Sequence, residues 1–97
     1  MDTFNVNLLV DECLSCKCNT CSKTTNKIIS SLNEFIALEC NYYLKILTVQ
    51  STYITISIDN GNFFIVRKIY TNIPIKICIP NNCCTHRLCI QVNSITS

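Results

Sequence analysis

The stretch Thr52-Tyr-Ile-Thr-Ile-Ser-Ile-Asp-Asn-Gly-Asn-Phe-Phe-Ile-Val-Arg-Lys-Ile-Tyr70 decides the fold class of this chain. Up to Ile58 it places isoleucine at every second position with threonine and serine between, which is the period of a β-strand that buries one side. Gly61 is the only glycine of the chain, and Asn-Gly between two strands predicts a tight turn because both residues tolerate a positive φ. We therefore predict a β-hairpin over residues 52–70.

The segments that flank this hairpin also have strand patterns. Residues 42–49 read as a strand, residues 73–79 alternate isoleucine with Pro74, Lys76 and Cys78, and residues 86–93 close the chain with the same alternation. Because proline cannot donate a ladder hydrogen bond, we expect the strand at residues 73–79 to lie at a sheet edge, or Pro74 to occupy a position that needs no partner. Residues 80–82 predict a turn, and residues 33–40 fit either a helical turn or a strand.

The composition of the whole chain is that of an all-β protein. Fifteen Ile, ten Thr and five Val stand against one Ala, and branched side chains suit a pleated surface but lose rotamer freedom in helices. A chain of 97 residues forms one small domain. Short strands with turns at about ten-residue spacing predict an antiparallel sandwich or barrel, and a helical bundle is excluded.

Charge and hydropathy argue against two classes of partner. The net charge is +2 and 14% of the residues are charged, which is far from the basic surface that binding to nucleic acid needs. The longest uncharged stretch, residues 46–58, is too short to span a bilayer. The first residues lack the basic start of a secretory signal. We therefore expect no nucleic acid, no membrane and no signal peptide.

Nine cysteines make the composition unusual. Cys13, Cys16, Cys18 and Cys21 lie in one short run among Asn, Thr, Ser and Lys, where no periodic pattern predicts burial. We therefore expect residues 1–26 to form a flexible, cysteine-rich N-terminal connector arm and residues 27–97 to form the β-sandwich domain. If disulfides form, the odd number leaves at least one cysteine unpaired or bonded to another chain.

The remaining cysteines belong to the predicted domain. Cys78 and Cys89 alternate out of phase with the apolar residues of their strands, so we expect both sulfurs to point away from the core. Together with the arm cysteines they are candidates for disulfides between subunits, while Cys40, Cys83 and Cys84 are further disulfide candidates. An arm that reaches its own sheet would instead give a monomeric, disulfide-linked domain.

Cysteines in this arrangement also suit other chemistry. Paired Cys-x-x-Cys units supply thiolates for tetrahedral zinc, so a small cysteine-rich zinc-binding protein is the alternative function. Zinc motifs usually place their two pairs on separate turns, whereas these pairs share one tight run. Redox catalysis needs a thiolate at a helix N-terminus, and His86 is the sole histidine. We therefore expect no enzymatic activity, no bound metal and no cofactor.

The order of these features resembles the endospore appendage (Ena-type) pilins of spore-forming bacteria. The resemblance lies in the cysteine-bearing arm, the strand start at Tyr43-Leu44-Lys45-Ile46, the strand Phe64-Ile65-Val66-Arg67-Lys68 and the closing strand Leu88-Cys89-Ile90-Gln91-Val92. It spans most of residues 13–97. The arm of that family commonly carries a vicinal cysteine pair, whereas here the vicinal pair Cys83-Cys84 lies late in the chain.

The resemblance implies a jelly-roll β-sandwich whose sheets augment between subunits of a helical homopolymer, with other spore-surface subunits as further partners. It implies disulfides from arm cysteines to domain cysteines of other subunits, with Cys89 at the acceptor position of the last strand. A second acceptor near Ile28 or Ile29 is missing, so Cys40 or Cys78 takes that part. The implied location is an extracellular fibre on the spore surface, assembled from subunits made without a signal peptide.

Overall fold

The protein folds into two four-stranded antiparallel sheets that pack as a β-sandwich. The computed structural model describes residues 3–13, 23–79 and 86–96. Within these ranges the elements are, in chain order, β1 Asn5–Cys13, β2 Lys23–Ile29, β3 Phe35–Ala37, the 3-10 turn η1 Glu39–Asn41, β4 Tyr43–Val49, β5 Tyr53–Asp59, β6 Phe64–Tyr70, β7 Ile75–Ile79 and β8 His86–Thr96. The predicted all-β antiparallel sandwich is confirmed.

The two sheets differ in how they use the chain. Sheet I has the strand order β2-β1-β8-β7, so it joins the two ends of the described chain, and sheet II is the meander β3-β4-β5-β6. Every pair of neighbouring strands is consecutive in sequence except β1 and β8. A jelly roll consists instead of two Greek keys, in which long connections bring non-consecutive strands together. The strand order therefore differs from the one that the family resemblance implies.

The core lies between the sheets and follows from the period of two in each strand. Ile54, Ile56 and Ile58 of β5 have no exposed surface and face the inner residues of sheet I. The inner face of sheet I is supplied mainly by Val6, Leu8, Val10, Leu88, Ile90 and Val92. Buried apolar surface of this kind is the main favourable term that holds the two sheets together.

The first strand departs from the sequence-based expectation of an N-terminal arm. Residues 5–13 form β1, which pairs with β2 on one side and β8 on the other, so it is an interior strand of sheet I. The first strand-like signal is the alternation of Val6, Leu8 and Val10, all fully buried. Residues 23–26 of the expected arm also belong to a strand, β2. Of the expected arm, residues 1–2 and 14–22 lie outside the described residues.

The hairpin of β5 and β6 is confirmed, with a change in its turn. The amide of Asn60 donates to the carbonyl oxygen of Phe63 at 3.1 Å, so the two central residues are Gly61 and Asn62 rather than Asn60 and Gly61. Gly61 has a φ of +90°, a backbone conformation that glycine adopts without a steric cost. The Asp59 carboxylate accepts a hydrogen bond from the Gly61 amide at 2.7 Å.

The other local predictions are refined by the structure. Pro74 lies just before β7, and β7 is an edge strand of sheet I, as expected for a strand next to proline. The ambiguous residues 33–40 divide between the short strand β3 and the start of η1. The turn expected at residues 80–82 lies outside the described residues. No helix in the described part of the chain has the length and apolar character needed to cross a membrane.

We expect Gly61→Val to lower the free energy of unfolding by more than about 1 kcal/mol, because a β-branched residue is strained at positive φ. Nothing lies within 4 Å of a Cβ added at Gly61, so the cost arises from the backbone alone. Urea unfolding of both proteins measures the difference. Gly61→Asn is the control and should lower the free energy of unfolding by less, since asparagine tolerates positive φ. Equal midpoints for Gly61→Val and wild type would contradict the turn geometry.

Candidate functional site

The outer face of sheet I brings together three cysteines from three strands. Cys13 of β1 lies opposite Arg87 of β8, and Arg87 lies opposite Cys78 of β7, so these three residues form one row across the sheet. Cys89 lies in the next row between Asp11 and Lys76. We call these six residues the cysteine face: Asp11, Cys13, Lys76, Cys78, Arg87 and Cys89.

Two of the cysteines point outward as their sequence phase predicts. Cys78 is exposed between the buried Ile77 and Ile79. Cys89 is half-buried between the fully covered Leu88 and Ile90. The phase prediction is confirmed for both residues. Their sulfurs are carried on a hydrogen-bonded ladder, so their positions relative to the sheet are set by the backbone.

Cys13 shares the outer face but has no exposed surface. The guanidinium of Arg87 donates to its sulfur, with 3.5 Å between Nη2 and Sγ. The sequence placed Cys13 on an arm and did not single out Arg87. The signal for Arg87 was its spacing of two residues from Cys89, since residues at that spacing in a strand share a face.

The sheet geometry prevents the three cysteines from bonding with one another. Cys13 and Cys78 are two strand spacings apart, roughly 10 Å, whereas a disulfide needs Cα atoms within about 7 Å. Cys89 is a diagonal neighbour of both, and diagonal Cβ atoms lie up to about 7–8 Å apart where a disulfide needs about 4 Å. Any disulfide made by these residues therefore takes its second sulfur from elsewhere.

The oxidation states agree with this geometry. Cys78 is disulfide-bonded, while Cys13 and Cys89 are thiols, so the partner of Cys78 is neither of them. Of the two thiols, only Cys89 has surface in contact with solvent. Cys89 is therefore the accessible one of these two thiols.

Charged groups surround Cys89 and define the polarity of the cysteine face. Lys76 is exposed beside it on β7, and Asp11 lies beside it on β1. The Asp11 carboxylate also accepts a hydrogen bond from the Thr24 hydroxyl of β2 at 2.9 Å. With Arg87, the face holds two cations and one anion around a thiol, which is a polar surface open to water.

The remaining predicted disulfide candidates are Cys16, Cys18, Cys21, Cys40, Cys83 and Cys84. Cys16, Cys18, Cys21, Cys83 and Cys84 lie outside the described residues. The backbone of Cys40 lies in η1, which is tied to sheet I because the amide of Glu39 donates to Oε1 of the buried Glu12 at 2.9 Å. Glu12 follows Val6, Leu8 and Val10 in phase, which places its side chain on the inner side of β1.

Within residues 3–13, 23–79 and 86–96, no group of three or more His, Cys, Asp or Glu side chains is arranged to hold a metal ion. Comparisons with known proteins find no relative: no family model, curated protein or solved structure matches the chain.

We expect Cys89 to react with iodoacetamide at least about tenfold faster than Cys13 in the native protein, because a buried thiol reacts only when the structure opens locally. Mass spectrometry of proteolytic peptides after timed alkylation measures both rates. In urea the two rates should converge, which serves as the control. Equal rates in the native protein would contradict the burial of Cys13.

Proposed function

We propose that this protein is a structural, non-catalytic subunit that assembles with copies of itself into a fibre cross-linked by disulfides between chains. The observation that carries the proposal is the placement of Cys89: an accessible thiol on the outer face of a hydrogen-bonded strand, out of bonding range of both neighbouring cysteines of its face. A thiol so placed is suited to bond with a sulfur that arrives from another molecule.

Oxidation supplies the covalent step. The Cys89 thiol and a thiol of a second chain each lose one proton and one electron, a sulfur–sulfur bond forms, and an oxidant such as molecular oxygen is reduced. The cysteines Cys16, Cys18 and Cys21 of a neighbouring chain are the partners that the family resemblance implies. Cys78 is already in a disulfide, so Cys89 rather than Cys78 is the proposed acceptor.

Open sheet edges support assembly before oxidation. Among the described residues, β2 and β7 are the edges of sheet I, and β3 and β6 are the edges of sheet II. The edge strands β2 and β6 are each seven residues long. An edge presents unpaired backbone groups that can add a strand from another chain. A sulfur held on a neighbouring strand would then make this reversible contact covalent.

The setting of the fibre is proposed from the resemblance in the sequence. A subunit made in a reducing cell interior and oxidised after release at the spore surface would keep its thiols until assembly. Other spore-surface subunits would be further partners. The proposal needs neither a metal nor a cofactor.

We expect the full-length chain, purified with reductant and then oxidised in air, to run as high-mass material without reductant and as a monomer with it. Cys89→Ser should shift this material toward monomer, because it removes the accessible acceptor sulfur. Non-reducing electrophoresis measures the change. Cys13→Ser is the matched control and should leave the multimers in place, since Cys13 is buried.

A mixture of nitrogen-14 and nitrogen-15 chains separates bonds between chains from bonds within one chain. Cross-linked peptides that contain Cys89 should include hybrids of the two isotopes. Cys89 peptides without hybrids would indicate the monomeric, disulfide-linked domain. Stoichiometric zinc with every cysteine open to alkylation would favour the zinc-binding alternative instead.

A further inference from the structure

The outer face of sheet II carries a group of exposed apolar side chains. Phe35, Tyr43, Phe64 and Val66 have exposed fractions of 59%, 47%, 61% and 42%. They occupy two adjacent rows of the sheet, with Phe35 and Val66 at the ends of one row and Tyr43 and Phe64 on either side of Asp59 in the other. We call these four residues, with Lys45 and Asp59 between them, the apolar face. Clustered exposed apolar residues on a soluble protein mark interaction sites far more often than scattered ones do.

The two charged residues of the apolar face have opposite signs and lie on neighbouring strands. Lys45 lies opposite Ser57, and Asp59 lies opposite Tyr43, so the cation and the anion are diagonal to each other. The Lys45 ammonium lies over the Phe35 ring, 5.3 Å from its centroid. An open depression beside it is lined by Phe35, Tyr43 and Asp59. The face therefore combines aromatic rings with one positive and one negative group.

We propose that the apolar face binds the apolar face of a second copy of this chain. A two-fold axis in the plane of the interface and midway between Lys45 and Asp59 brings Lys45 of each copy against Asp59 of the other. Such a contact is isologous, so one favourable ion pair occurs twice. The charge pattern of the face is thus complementary to itself, which argues for a second copy rather than a charged partner of another kind.

The size of the face predicts a weak contact. The apolar face is smaller than the outer surface of sheet II, whose seven-residue strands β4, β5 and β6 extend about 23 Å and whose four strands span roughly 15 Å. A surface of these dimensions covers several hundred Å², below the roughly 800 Å² per partner of a stable complex. We therefore expect a dimer that forms in the micromolar to millimolar range and needs high local concentration or cross-linking to persist.

The inference deepens the proposed function, on which its biological meaning rests. The disulfide of the proposed function joins unlike positions of two chains, Cys89 of one and an arm cysteine of the other, whereas the apolar-face contact joins like surfaces and adds a second, reversible link. The cysteine face and the apolar face lie on opposite outer surfaces of the sandwich. Two copies joined through their apolar faces would leave both cysteine faces outward, which makes a unit that can extend in two directions.

The test uses the full-length chain with its thiols capped by iodoacetamide, so no new disulfide forms and failure of the disulfide proposal does not affect the result. Analytical ultracentrifugation from micromolar to millimolar concentration should show a monomer–dimer equilibrium. The double variant Phe35→Ser and Phe64→Ser should weaken it at least tenfold. Ile73→Ser is the matched control, because Ile73 is 61% exposed in the connection between β6 and β7, and it should change nothing.

A charge experiment tests the pairing directly. Lys45→Glu and Asp59→Lys should each weaken the dimer, because each places like charges together twice. An equal mixture of the two variants should dimerise as well as wild type, since both ion pairs of the heterodimer are then favourable, and native mass spectrometry should detect that heterodimer. The Asp59 carboxylate also accepts a hydrogen bond from the Gly61 amide. Loss of that bond could loosen the turn, but it cannot explain a dimer that is restored when the two variants are mixed.

Three outcomes would overturn the proposal. The capped wild type could stay monomeric at millimolar concentration, which would leave the face to a different partner. Ile73→Ser could weaken association as much as the double variant, which would indicate non-specific contact. The mixture of charge variants could associate no better than either alone. If circular dichroism shows that the double variant is unfolded, the mixing experiment decides.

Discussion

The pairing of β1 with β8 is the constraint on which the rest of the structure depends. These strands hydrogen-bond from the Asn5–Thr96 pair to the Cys13–Arg87 pair, so residues from the two ends of the chain meet in the middle of sheet I. Closing so long a loop costs entropy that grows only slowly with its length. The cost is offset because the two strands bury their inner side chains against sheet II and satisfy each other's backbone groups. Without this pairing, sheet I would separate into the two hairpins β1–β2 and β7–β8.

The same ladder determines the chemistry of the outer surface. Because β8 lies between β1 and β7, Cys89 and Arg87 each have one neighbour on β1 and one on β7, and the neighbours on β1 are far away in sequence. A rigid ladder holds sulfurs at fixed separations, and here those separations are too long for a disulfide between any two cysteines of the face. The fold thus separates these cysteines from one another while leaving Cys89 accessible from outside.

The two outer faces of the sandwich differ in the kind of contact they can make. The cysteine face is polar, with Lys76, Asp11 and Arg87 around a thiol, and can form a covalent bond. The apolar face of sheet II offers a weak contact that depends on burying aromatic rings. A reversible contact permits correct alignment, and a later disulfide makes dissociation slow. Each sheet of the sandwich buries its inner side in the shared core, so the outer sides of both sheets are available for contacts.

Local sequence was sufficient where the deciding interactions are between near neighbours. The alternation in residues 52–58 predicted the buried isoleucines, Asn-Gly predicted the hairpin, and the phase of Cys78 and Cys89 predicted their outward direction, because a strand's period of two is a local property. Only the tertiary structure showed that β1 is an interior strand paired with β8 and that Cys13 is buried beside Arg87. The alternation of Val6, Leu8 and Val10 is a local strand signal, but the choice of partner strands and their register involve residues far apart in sequence. Both are set by the packing of the whole core.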